Sequence, residues 1–454
     1  MAIATINPTT GQLLQTFAPM DESEVEQILA QAALAFGEYR NIPLAQRAAW
    51  LNRAANLLEQ ERDRLASLIT LEMGKTYRSA QQEIEKCALV CRYYAEYGPV
   101  RLQDTPVTTE GQISLIRYQP VGPVLAVMPW NFPFWQVFRF AAPNLILGNV
   151  GLLKHASNVP QCALAIQEII DKAGFPKGTW QTLLIEGTRV PGLLGDRRIQ
   201  GATLTGSAAS GAALAQAAGA NLKKTVLELG GSDPFIVMPS ADLQAAAAAA
   251  VTARMLSNGQ SCIAAKRFIV AEAIAPEFID LLVAKFQGLQ VGDPMAETTQ
   301  LGPLATPEIR QELDSLVQRC VAMGAKILTG GKPLDRPGNF YPATILTDLP
   351  PGSPADTEEF FGPVALVFPV PDLTAAIQLA NASPFGLGAS IWTQDAQERD
   401  QAIDQLEAGS VFVNAIVKSD PRLPFGGIKT SGYGRELGDY GLLEFANIKT
   451  ICLA

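Results

Sequence analysis

The stretch VGPVLAVMPWNFPFWQVFRFAAPNLILGNVGLLKHASNVPQCALAIQEIIDKAG, residues 121–174, decides the architecture. Short apolar runs at 124–127 and 151–153 alternate with longer helical segments such as 161–173, which Gly174 closes as a left-handed C-cap. The alternation continues through apolar runs at 180–185, 202–204 and 225–229, with a helix expected over 211–219. Spacings of roughly 20 to 30 residues suit βαβ units, so a parallel, doubly wound sheet is expected.

Working outward, a second alternating series begins after Gly230-Gly231. It comprises a strand at 235–238, an Ala-rich helix from 242 to 257, a strand at 267–270 and a helix at 276–286. This predicts a second α/β domain. The first hundred residues read as mainly helical, with Val25, Ile28, Leu29, Ala32 and Ala33 at helical spacing, and are expected to wrap the first domain. Segments 114–119 and 448–453 alternate in β fashion outside both series and read as arms that extend a neighbouring subunit's sheet.

Bulk properties narrow the chemistry. A chain of 454 residues is too long for one ordinary core, and 48% hydrophobic with 17% charged residues is a globular composition. The formal charge of −9 disfavours a phosphate-coating surface, so the partner is expected to be a small molecule and not nucleic acid. No cationic leader or long uncharged apolar span is present, which points to the cytoplasm and away from membranes. The six cysteines, at 87, 91, 162, 262, 320 and 452, lack the dense spacing of a secreted disulfide scaffold and read as reduced thiols. His155 is the only histidine, which excludes a zinc site built on several imidazoles; no metal is expected.

Three places could carry chemistry. Cys262 closes the turn Asn258-Gly259-Gln260-Ser261-Cys262, where a thiolate is easier to expose than within a packed element; a buried small apolar residue is the competing reading. Glu228 ends an apolar strand, where desolvation would raise its pKa toward that of a general base, unless it is a strand-end surface acid. Pro129-Trp130-Asn131-Phe132-Pro133 follows the first strand of the parallel series and should face the cleft at the strand carboxyl ends, where the Asn131 amide could donate to an oxyanion.

Trp130-Asn131-Phe132-Pro133, Leu227-Glu228-Leu229-Gly230-Gly231, Gly259-Gln260-Ser261-Cys262 and Glu359-Phe360-Phe361-Gly362-Pro363 occur in that order. With Asn7-Pro8 near the start and Phe425-Gly426-Gly427-Ile428-Lys429 near the end, the chain resembles the aldehyde dehydrogenase superfamily over practically its whole length. The resemblance implies a Rossmann-type doubly wound nucleotide domain, a second α/β catalytic domain and a β-arm oligomerisation element. It divides the chain into a cofactor-binding part at 1–104 and 123–229, a catalytic part at 230–410, and arms at 105–122 and 440–454, in a homodimer or homotetramer. It also implies that the Cys262 thiolate attacks an aldehyde, that Asn131 and the Cys262 backbone NH hold the oxyanion, and that the thiohemiacetal gives hydride to a nicotinamide. Glu228 would then activate water against the thioester. Glu359 and Phe361 resemble the pair that holds the nicotinamide ribose and packs on its ring, against the plainer reading of a loop acid and a core aromatic.

No Gly-x-Gly-x-x-Gly or Gly-Lys-Ser/Thr loop is present. Instead Thr205-Gly206-Ser207 joins a strand to a helix, and within the family pattern it looks like the pyrophosphate site, with backbone NH groups at Gly206 and the Ser207 hydroxyl as donors. Lys154-His155-Ala156-Ser157 departs from the family's Lys-Pro-Ser-Glu at Ser157. A Glu there would repel the 2′-phosphate of NADP. Ser157 removes the repulsion and Lys154 adds a positive charge, so NADP is expected as the preferred cofactor, with NAD possible. His155 reads as structural.

Arg139 lies eight residues after Asn131, an offset at which succinate-semialdehyde dehydrogenases carry an Arg, and Ser419 matches a substrate-loop Ser of those enzymes. A guanidinium at the substrate mouth would take a carboxylate with a forked pair of hydrogen bonds. From spacing alone, an Arg bridging helices and a solvated loop Ser remain open. Leu256 stands where many such enzymes have a second Arg, and Ala264 where some have a second Cys. Cys87 and Cys91, one helical turn apart, read as helix packing. A cysteine hydrolase using Cys262, or a binding protein that kept the fold without the chemistry, are the competing functions.

Overall fold

The computed structural model describes residues 2–453. Its central feature is a six-stranded sheet in the order Gly432–Tyr433, Lys224–Glu228, Gly201–Thr205, Pro123–Met128, Val150–His155, Trp180–Thr182. The last five strands are parallel and Gly432–Tyr433 runs antiparallel on Lys224–Glu228. These strands are almost wholly buried because helices cover both faces, which is why they read as continuous apolar runs. The chain builds outward on one side of Pro123–Met128, then returns to build on the other, so the order reverses between Pro123–Met128 and Gly201–Thr205. Close packing holds the sheet to one geometry: a Cβ on Gly151 would lie 2.3 Å from the Trp180 ring.

A seven-stranded sheet forms the second layer system, ordered Lys326–Thr329, Thr344–Thr347, Val364–Val370, Arg267–Ala271, Pro234–Val237, Gly388–Trp392, Ser410–Val413. All its pairings are parallel except that of the edge strand Lys326–Thr329. The Ala-rich helix spans Leu243–Met255, capped by Asp242, whose side chain accepts from the Ala245 amide at 3.0 Å.

The first hundred residues carry four long helices, as the apolar spacing predicts, preceded by a hairpin of Ile3–Ile6 and Leu13–Phe17 that was not foreseen. The run 180–185 is a strand only over Trp180–Thr182; Leu183 and Ile185 are buried outside the ladder, so apolarity there marks core contact and not strand length. The two arm segments are both strands. Ile113–Pro120 and Ala446–Leu453 pair with each other, antiparallel over eight residues, and Thr105–Pro106 completes a three-stranded sheet within the chain.

Helix Tyr77–Arg101 and the fully buried helix Trp135–Leu147 are locked together by one carboxylate. Glu83 Oε1 accepts from the Phe134 and Trp135 amides at 2.9 and 3.0 Å, satisfying orphan donors at the helix N-terminus. Its other oxygen takes the buried Lys75 ammonium at 2.6 Å, which stands 3.7 Å from the centre of the Phe132 ring.

Candidate active site

Open α/β sheets bind ligands outside the strand carboxyl ends where the strand order reverses. The two loops that leave Pro123–Met128 and Gly201–Thr205 are Pro129-Trp130-Asn131 and Gly206-Ser207. Both line a cavity of about 370 Å³, together with Cys262, Glu359 and Phe361. Trp130 and Phe361 meet edge to face at 5.7 Å. A second cavity, of about 180 Å³, is lined by Lys86, Trp135, Arg139, Ser419 and Phe425, and again by Cys262. Among the described residues Cys262 is the only one common to both.

The turn carrying Cys262 is built to hold a shape. Ser257, Asn258 and Gly259 take φ of 54°, 59° and 78° in succession, and a Cβ on Gly259 would lie 2.4 Å from the Gly362 carbonyl carbon. The Asn258 amide donates to the Gly74 and Pro303 carbonyls at 2.8 and 3.0 Å, and its oxygen accepts from the Gly302 amide. Two buried cations gather the remaining carbonyls: Arg254 Nη2 donates to Gly259 O at 2.5 Å, and Lys266 Nζ to Ser261 O and Cys262 O at 2.7 and 2.8 Å. Burial pushes the Cys262 thiol up to about 12, against the opposing fields of Lys266 and Arg139. At rest the thiol form is thereby favoured over the thiolate.

Asn131 is buried; one amide hydrogen goes to Gln260 O at 3.0 Å, which leaves the second for the cavity it lines. Glu228 is 1% exposed, with neither carboxylate oxygen hydrogen-bonded, and it lines neither cavity. It lies against Gly426, where a Cβ would come 2.6 Å from Oε1. Burial raises its pKa well above the usual carboxylate range; Arg139 and Arg435 oppose this and Glu436 adds to it.

Ser207 caps the helix Ala208–Gly219, accepting from the Ser210 amide at 3.3 Å, so the helix N-terminus opens on the larger cavity. Glu359 Oε1 accepts from the Gly231 amide and from Lys266, both at 3.1 Å. Lys154 and Ser157 fall outside the lining of that cavity, at the end of the adjoining strand Val150–His155 and just beyond it. Lys154 is buried with no ion-pair partner among the described residues, and burial lowers its pKa. His155 ties the strand ends together, its ring nitrogens 3.2 Å from Met128 O and 2.8 Å from Pro133 O, and burial pushes it down to about 4. It offers Cys262 no base.

Arg139 lines the smaller cavity from a buried position. It is 2% exposed, ion-paired with the buried Glu436, 3.4 Å from Thr205 Oγ1 and stacked on Phe425 at 4.6 Å. Ser419 is buried, with its hydroxyl 2.7 Å from Lys86 Nζ.

A family model described as the aldehyde dehydrogenase family matches residues 1–451. The chain belongs to the aldehyde dehydrogenase family. It is 58% identical, over the whole of both chains, to a protein of Synechocystis sp. named "Probable succinate-semialdehyde dehydrogenase, NADP(+)". It is 53% identical, again over both full lengths, to the succinate-semialdehyde dehydrogenase, NADP(+), of Mycobacterium leprae. Among solved structures it matches succinic semialdehyde dehydrogenase of Streptococcus pyogenes, in complex with NADP+, at a TM-score of 0.97 and 37% identity over 99% of each chain.

Within this aldehyde dehydrogenase, sequence reading missed Lys86, Arg254, Lys266 and Glu436. The first had a signal: Ser79, Gln82, Glu83 and Lys86 recur at three- and four-residue steps, a polar stripe on a partly buried helix, and all four line the smaller cavity. The other three act through tertiary contacts that no local spacing announces.

Proposed function

We propose that this aldehyde dehydrogenase oxidises succinic semialdehyde to succinate with NADP, through a thioester on Cys262. The observation that carries the reading is the sulfur's position as the one shared wall of two cavities, one suited to a dinucleotide and one to a short aldehyde.

The residues present fit NADP. A helix N-terminus with the Ser207 cap meets the pyrophosphate requirement, Gly206 admits close backbone approach, and Trp130, Phe361 and Glu359 line the far end. The unpaired Lys154 and the hydroxyl of Ser157 suit a 2′-phosphate, with no carboxylate at 157 to repel it. When bound, the cofactor supplies the two-electron acceptor. Cys262 releases its thiol proton to solvent and forms the C–S bond to the aldehyde carbon, while the free amide hydrogen of Asn131 and the Cys262 backbone NH stabilise the oxyanion. Once the carbon is oxidised to the thioester level, Glu228 takes a proton from water, the hydroxide adds, and the carboxylate product leaves as the sulfur regains a proton. Burial equips Glu228 for this by raising its basicity, and its side chain must swing from Gly426 toward the sulfur.

In this reading residues 1–104 and 123–229 bind the cofactor, 230–410 carry the nucleophile, and 105–122 with 440–454 form the arm of a cytoplasmic homodimer or homotetramer. No helix among the described residues is long and apolar enough to cross a membrane.

The test is steady-state kinetics with succinic semialdehyde and with neutral aldehydes, each with NADP and with NAD. A higher kcat/KM with NADP and the acid-bearing aldehyde is expected. Preference for a neutral aldehyde or for NAD overturns the corresponding half.

A further inference from the structure

We propose that Lys266 is a positioning residue of the oxyanion site: by holding the Ser261 carbonyl it aims the Cys262 backbone N–H at the substrate oxygen. The proposal rests on the reading of Cys262 as the nucleophile and of its N–H as an oxyanion donor.

The nucleophile's turn presents four successive carbonyls, and each is taken by a side-chain donor. Arg254 Nη2 donates to Gly259 O at 2.5 Å and Asn131 Nδ2 to Gln260 O at 3.0 Å. Lys266 Nζ takes the last two, Ser261 O at 2.7 Å and Cys262 O at 2.8 Å. The peptide between Ser261 and Cys262 is trans, so its C=O and N–H point to opposite edges of one plane. An ammonium fixed on the Ser261 oxygen therefore fixes the direction of the Cys262 N–H. That N–H has no hydrogen-bond partner among the described residues, and Cys262 borders both cavities. An oxyanion on the attacked carbon would supply its acceptor.

Holding a shape does not by itself require a charge. Lys266 is fully buried, and Glu359 Oε1 stands 3.1 Å from Nζ as its counter-charge. Burial, reinforced by Arg254, lowers its pKa, while Glu359, Asp233 and Cys262 oppose this. Two carbonyls and a carboxylate around the ammonium offset its desolvation. A positive charge on the carbonyl oxygen polarises the whole peptide, which makes the N–H at its far edge a stronger donor. A neutral side chain could hold the same shape without that field. Lys266 also opposes the rise in the Cys262 pKa, so a test must separate the oxyanion from the thiolate.

The experiment follows two reactions of Cys262 at one pH, without cofactor. p-Nitrophenyl acetate acylates the sulfur through a tetrahedral oxyanion and releases p-nitrophenolate, whereas iodoacetamide alkylates it by displacing iodide, with no oxyanion. Both rates scale with the thiolate fraction, so their ratio reports on the oxyanion site. In Lys266→Met the ratio of acylation to alkylation should fall about ten- to hundredfold, somewhat less than for deletion of a whole donor. Lys266→Gln, uncharged but still a donor, should fall between that and wild type, and it carries the test should Lys266→Met fail to fold. Asn131→Ala removes the other donor and should lower the same ratio. An unchanged ratio in the Lys266 variants beside a lowered one in Asn131→Ala overturns the assignment and leaves the thioester reading intact. A ratio that all three variants leave unchanged overturns the oxyanion site itself.

Discussion

Two carboxyl-related choices at single residues bear on the proposed chemistry. Glu228 stands in an apolar wall with both oxygens unbonded, and burial raises its pKa well above the usual carboxylate range. As pH falls through that pKa the base is protonated and thioester hydrolysis slows; as pH rises above it the rate reaches a plateau. Glu228→Gln should lower kcat by about 10² to 10⁴-fold and flatten that limb, while leaving a single burst of reduced cofactor per site in rapid mixing. Loss of the burst would show that the carboxylate is needed before the thioester forms. Ser157→Glu should weaken use of NADP far more than of NAD, since like charges at ~4 Å repel by on the order of 1 to 4 kcal/mol. Equal losses with both cofactors would refute the charge argument. At this scale the sequence was most readable where a residue acts alone. Cys262, Asn131, Glu359 and Phe361 were chosen from their motifs, and the structure brings them to one cleft. The ion pair of Arg139 was not legible, because its partner, Glu436, lies almost three hundred residues further on.

Elements are held by fewer devices than their number suggests. The nucleophile turn depends on Gly259, whose φ of 78° and approach to Gly362 leave no room for a side chain. Gly259→Ala should cost about 1 to 3 kcal/mol in thermal or chemical unfolding and slow alkylation of Cys262; unchanged stability would mean the turn relaxes freely. Glu83 both neutralises Lys75 and caps a buried helix, so Glu83→Ala should destabilise by about 3 to 5 kcal/mol, read as a lowered unfolding midpoint. The strands of the parallel sheets were legible because burial on both faces writes them as apolar runs. The N-terminal hairpin was not, because Leu13–Phe17 is largely exposed and carries no alternation of buried and open positions.

Over the whole molecule, the three-stranded sheet leaves one long edge, Ala446–Leu453, with Ile448 and Leu453 more than half exposed. If that sheet joins subunits, Ile448→Lys should reduce the mass in solution by light scattering, since a charge on an edge strand opposes further pairing. An unaltered mass would move the interface elsewhere. Alternation outside the two main series disclosed these segments, but intrachain pairing and pairing to a second copy look the same in one sequence. The largest arrangement has a kinetic corollary. The two cavities share Cys262 and no other lining residue among those described, so in the proposed reading a dinucleotide in one leaves the other open to the aldehyde. Either reactant should then bind first, initial-rate lines should intersect, and a dead-end analogue of one reactant should not compete with the other.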